Sequence, residues 1–189
     1  AAMIDLFLTA RELQEFCDTQ RWQSCFIGGI AVQRWSQARV TRDVDLTLLT
    51  GFGREDNFIL PLLAEYSARM ENAAEFARRT RVLLLKTKAG TGIDVSLGAL
   101  PFEECAVKRA TPWEAEPGVM LRTCSAEDLL IFKLFASRAI DIRDAEGIVV
   151  RNRKQLNWRY VEEQLTPLAE LKEDPAILDT LARLRRLKV

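Results

Sequence analysis

Apolar positions recur along the chain with two different periods, and the changes between them lay out the expected elements. In TARELQEFCDTQRW, Leu13, Phe16 and Cys17 follow at helical spacing. Thr9 with Glu12 three residues on has capping-box spacing, so a helix is predicted over Thr9 to about Gln20. SCFI reads as a short apolar strand, and GGIAVQRWSQ as a helix opening at Gly28 and Gly29. RDVDLTLLT alternates: Val44, Leu46 and Leu48 point one way, and Asp43, Asp45 and Thr47 the other, the period of a strand. REDNFILPLLAEYSARM predicts a helix from about Arg54, locally disturbed at Pro61. RVLLLKTKAGTGIDVSLGAL predicts a hairpin about AGTG. PFEECAVKRATPWEAEPGVMLRTC reads as further strands and loops, punctuated by Pro101, Pro112 and Pro117.

The texture changes near Cys124. Ser125, with Asp128 three residues on, gives an N-cap signal for SAEDLLIFKLFASRA. Nearly everything from there to Val189 carries the helical period. The chain is therefore expected to be α+β: a mixed sheet with helices packed on it over residues 1–123, then a helical region over 124–189 packed against it.

The composition narrows the chemistry. The chain has 189 residues, with 27 Lys and Arg balanced by 27 Asp and Glu, which argues against a broad nucleic-acid-coating surface. No histidine is present, so no Ser-His-Asp or Cys-His machine is available. Carboxylates, lysines, arginines or a metal must carry any catalysis. Cys17, Cys25, Cys105 and Cys124 lack zinc-like spacing and are expected to be free thiols. No apolar run is long enough for a transmembrane helix, and no secretory leader is read at the start, so a cytoplasmic protein without membrane contact is expected.

Asp43 and Asp45 pose the central question. On a strand they share a face with Cα atoms ~7 Å apart, and like charges that close raise each other's pKa. A divalent cation offsets that repulsion, and hard oxygen ligands suit Mg2+ or Mn2+. Gly28-Gly29, at a strand-to-helix junction, would present bare N–H groups to phosphate. Asp94, after the hairpin turn, adds a third carboxylate if its strand lies beside that of Asp43 and Asp45. Each feature alone has an ordinary explanation: a solvated strand face, a tight turn, a hairpin cap. The ordered combination points to phosphate chemistry.

Ile27-Gly28-Gly29, thirteen residues, Asp43-Val44-Asp45-Leu46, then Ile93-Asp94-Val95 resembles the signature of the DNA polymerase beta nucleotidyltransferase superfamily. Thr41, before the pair, is also common in these proteins. The resemblance implies a nucleotidyltransferase-like mixed sheet and Mg2+- or Mn2+-dependent transfer of a nucleoside monophosphate from a nucleoside triphosphate. Asp43, Asp45 and Asp94 would be catalytic metal ligands, Asp94 alternatively a base. Gly28, Gly29 and Thr41 would line the nucleotide site. SAEDLLIFKLFASRAIDIRDAEGIV further resembles the helical segment of AbiEii-type nucleotidyltransferase toxins, with Lys133 and Arg143-Asp144 matching in type and order. That implies Lys133 on a phosphate, and a toxin or defence setting with an antitoxin-like partner. Plainer readings are a snorkelling lysine and a surface charge pair. RRTRVLLLKTK concentrates Arg78, Arg79, Arg81, Lys86 and Lys88, either to guide an acceptor or to protect an edge strand. The acceptor stays open among RNA or tRNA, a protein side chain and a small hydroxylated molecule. A non-catalytic nucleotide-binding or protein-interaction module on the same fold is the alternative.

Overall fold

The structure, a computed structural model, describes residues 2–187. In chain order the elements are α1 (Ala2–Thr19), β1 (Ser24–Phe26), α2 (Gly28–Trp35), β2 (Asp43–Leu49), α3 (Asp56–Glu65), β3 (Ser67–Ala68), α4 (Ala73–Thr80), β4 (Val82–Lys86), β5 (Gly92–Gly98), α5 (Pro101–Arg109), β6 (Thr111–Glu116), β7 (Val119–Thr123), α6 (Ala126–Ala136), α7 (Ala139–Asn152), α8 (Trp158–Leu171) and α9 (Ala176–Arg185). They divide into two compact units, Ala1–Ile30 with Val40–Cys124, and Ala31–Arg39 with Ser125–Val189.

The first unit is α+β. Its seven-stranded mixed sheet has the order β3-β4-β5-β2-β1-β7-β6. β2 lies antiparallel to β1 and parallel to β5, and β4 and β5 form the predicted antiparallel hairpin. Val44, Leu46 and Leu48 are fully buried, as the alternation of β2 predicts, and join a core with Leu83, Leu85, Ile93, Val95 and Leu97. α1 covers that core through Leu6, Phe7, Ala10, Leu13 and Cys17.

Locally the helices differ from expectation in where they begin and in two that were not expected. α1 begins before Thr9, because its buried stripe already starts at Leu6; Thr9 lies inside the helix rather than capping it. α3 starts at Asp56 and runs through Pro61, held by Ile59 and Leu62, both buried. Pro101 does not punctuate strands: it opens α5 at a position whose N–H has no helical partner anyway. Glu103 Oε2 accepts from the N–H groups of Ala99 and Leu100, and Phe102 and Ala106 bury the inner face. α4 was not anticipated: it is eight residues long and buries only two small side chains, Ala73 and Ala77.

The second unit is helical. α6 packs on α7, α8 and α9, and α9 on α7 and α8. The predicted cap is present: Ser125 Oγ accepts from the Asp128 N–H. The core holds Leu129, Leu130, Ile131 and Leu134 of α6 with Ile148, Val149, Val161, Leu165 and Leu184. Residues Ala31–Arg39 belong to this unit. Ser36 Oγ donates to the Asp144 carbonyl, and a Cβ at Gly147 would overlap that hydroxyl, so α7 approaches Ser36 where it has no side chain. The C-terminal basic run RLRRLK ends at Lys188, outside the described residues.

Candidate active site

The register of β5 against β2 builds the site. Asp43 stands opposite Gly92, Asp45 opposite Asp94 and Thr47 opposite Ser96. Residues directly opposite share a sheet face, and i and i+2 share it too. Asp43, Asp45 and Asp94 therefore lie on one face, across from the apolar core side of β2. The next strand continues the rows: Gly92 pairs with Lys86, and Asp94 with Leu84. At the other side of β2, Ile27 N–H donates to the Asp45 carbonyl, bringing the start of α2 beside Asp45.

That junction explains both glycines. Gly28 has φ +54°, a left-handed backbone that favours glycine, and a Cβ there would overlap the Asp45 carboxylate. At Gly29 a Cβ would overlap the Thr41 hydroxyl. The Gly29 N–H donates to Asp45 Oδ2 at 3.1 Å. Gly28, Gly29, Thr41 and Asp45 thus form one packed group at the N-terminus of α2, where the helix dipole favours negative charge.

Arg69 is the residue that sequence reasoning missed. Its N–H donates to the Leu84 carbonyl, which extends the row of Asp45, Asp94 and Leu84 beyond β4. Its guanidinium pairs with Asp94 through Nη2, and Nη1 lies 3.6 Å from Asp43 Oδ1. No local period marks it; it reaches the site only because the two-residue β3 adds to the edge of β4. Burial and the Asp43 charge hold the Asp94 carboxyl above its ordinary value, although Arg69 opposes them.

The donor set suits a hard divalent ion, since three carboxylates on adjacent parallel strands supply only oxygen. Among the described residues, no three His, Cys, Asp or Glu side chains are gathered to hold an ion as they stand. Asp94 is turned to Arg69 and Asp45 to the Gly29 N–H. The residues fit Mg2+ or Mn2+ by chemistry and by face, with side-chain rotation needed to converge.

Lys133 lies in the second unit. It is buried, with Nζ 3.0 Å from Asp141 Oδ1 and 2.9 Å from Asp144 Oδ2. Arg39 pairs with Asp144 through two 2.8 Å bonds, and Arg138 with Asp141 at 2.6 Å. Burial disfavours both carboxylates, but Arg138 and Lys133 at Asp141, and Arg39 and Lys133 at Asp144, outweigh it and hold both below their ordinary value. Arg143 itself carries no part of this network, although its neighbour Asp144 does. The basic run around β4 is divided: Arg78 pairs with Asp56 and Arg81 with Glu55, whereas Lys86 is exposed on the row of Asp43.

No protein-family model matches the sequence, and no curated protein does. Solved structures do match in fold. An antigenic nucleotidyltransferase-like protein from Paracoccidioides brasiliensis superposes with a TM-score of 0.51 at 18% identity, over 94% of this chain and 92% of that one. The antibiotic-resistance factor ANT(2'')-Ia matches with a TM-score of 0.51 at 16% identity, over 95% of each chain. The fold is that of nucleotidyltransferase-like proteins. No helix among the described residues is long and apolar enough to cross a membrane.

Proposed function

We propose that this chain is a metal-dependent nucleotidyltransferase that moves a nucleoside monophosphate from a nucleoside triphosphate to a hydroxyl-bearing acceptor. The observation that carries the reading is the common face of Asp43, Asp45 and Asp94 beside the α2 N-terminus. Asp43, Asp45 and Asp94 would hold Mg2+ or Mn2+. When bound, the ion neutralises triphosphate charge and makes the α-phosphorus more electrophilic.

The remaining roles belong to the chain itself. The N-terminus of α2 favours the anionic triphosphate, and Gly28 and Gly29 let Asp45 and Thr41 pack against it. Thr41, packed on Gly29, adds a hydroxyl at the same place. Asp94, with its raised pKa, is suited to take the proton of the acceptor hydroxyl. A toxin or defence setting, a phosphate role for Lys133 and an antitoxin-like partner rest on the AbiEii resemblance alone. RNA, a protein side chain and a small hydroxylated molecule all offer the required hydroxyl.

The test is label transfer. The protein is incubated with cell extract, Mg2+ and each of four nucleoside triphosphates labelled at the α-phosphate. Label passing to an acceptor with wild type, and not with Asp43→Ala/Asp45→Ala, supports the reading. Triphosphate binding without transfer to anything would leave the nucleotide-binding module in its place.

A further inference from the structure

The site already contains a cation of its own. Arg69 sits between two of the three carboxylates, on the continuation of the row formed by Asp45, Asp94 and Leu84. It engages Asp94 Oδ1 with one nitrogen and faces Asp43 Oδ1 with the other. Room for this is built into the sheet. Gly92 lies between Asp43 and Lys86 in the adjoining row, and a Cβ there would overlap Asp43 Oδ1 and come within 2.9 Å of Arg69 Nη1. A larger residue at 92 would push first on the Asp43 carboxylate and crowd Arg69 Nη1. The Arg69 side chain is only 28% exposed, although both of its partners are carboxylates at a face open to solvent.

We infer that Arg69 is the resident counter-ion of the carboxylate clamp, offsetting its charge in the absence of metal and competing with a divalent ion for it. The inference rests on the nucleotidyltransferase reading for its biological meaning, and on these contacts for its chemistry. A guanidinium donates through fixed N–H directions; here it donates to Asp94 and stands at ion-pair distance, 3.6 Å, from Asp43 Oδ1. A divalent ion at this face would draw on the same carboxylates, and its charge repels a guanidinium held beside them. The two cations therefore compete for the carboxylates, most directly at Asp94. Arg69 relieves the like-charge repulsion that would otherwise burden the metal-free site. The protein can then fold before metal arrives, and metal binding carries the work of displacing an ion pair. Once displaced, the guanidinium stays tethered at the rim by its backbone bond to Leu84, beside Lys86.

The test is a Mn2+ titration without nucleotide, followed by calorimetry, on wild type, Arg69→Gln and Arg69→Lys. Removing a competing ion pair at the upper end of the usual range tightens metal binding about fivefold. Arg69→Gln is expected to bind Mn2+ about that much tighter than wild type. Arg69→Lys, which keeps charge but loses the fork, is expected to fall between them. Circular dichroism identifies any variant that does not fold, and the other variant is then compared with wild type. Equal or weaker Mn2+ binding in the folded variants, including no binding in any of the three, overturns the inference. Tighter Mn2+ binding with no label transfer to any acceptor would retain the counter-ion role and remove the enzyme reading instead. Label transfer with unchanged Mn2+ binding would do the reverse.

Discussion

At Gly28 a single absent methyl group shapes the site. The backbone is held at φ +54°, and the Asp45 carboxylate occupies the space a Cβ would need. Gly28→Ala is expected to lower stability by about 1–3 kcal/mol, the usual cost of a residue forced into the left-handed region. It also displaces Asp45, so Mn2+ affinity is expected to fall as well. Urea unfolding and metal titration read the two effects separately, and an alanine variant with wild-type values in both would contradict this geometry. Asp43, Asp45 and Asp94 were legible because a strand fixes which side chains share a face, and Gly28-Gly29 because they stand where β1 gives way to α2. Arg69 was not, because its place depends on a two-residue strand pairing seventeen residues further along the chain, Ala68 against Leu85. Thr41 came from resemblance; its packing on Gly29 is a tertiary contact that no period could reveal.

Among the elements, those with strong periods were legible. β2 and the β4–β5 hairpin follow from alternation and a glycine-rich turn, and α6 from its serine cap. The misses are short and bury little: α4 buries only Ala73 and Ala77, and α5, which opens on a proline, only Phe102 and Ala106. α6 and α7 carry a pH dependence of their own. Asp141 and Asp144 have folded-state pKa values below the unfolded value of about 3.9. Their contribution to stability is therefore complete above the unfolded value and is lost as pH falls through the lower, folded values. Urea midpoints are expected to hold their contribution at pH 5–7 and drop below about pH 4. Asp144→Asn, though less stable at neutral pH, is expected to show a shallower acid drop. An acid profile as steep in the variant as in wild type would remove Asp144 from the account.

At the scale of the whole molecule, the α+β class was legible from the change of texture near Cys124, since hydrophobic period switches there from mixed to helical. The strand order was not: β2 pairs with both β1 and β5, and β7 returns to lie parallel to β1, pairings set by contacts far apart in sequence. Nor could the sequence assign Ala31–Arg39 to the helical unit, because α2 is one continuous helix whose first turn belongs elsewhere. The sheet nonetheless converts three aspartates scattered over fifty-two positions, Asp43 to Asp94, into one face. The central claim is that this face, with the α2 N-terminus, is a metal-dependent triphosphate site. Calorimetric titration of each nucleoside triphosphate with and without Mg2+, on wild type and on Asp43→Ala/Asp45→Ala, tests it most directly. At least one triphosphate is expected to bind only with Mg2+, and that binding is expected to be lost in the double variant. Failure of the folded wild-type protein to bind any triphosphate, or binding that the double variant keeps, would contradict it.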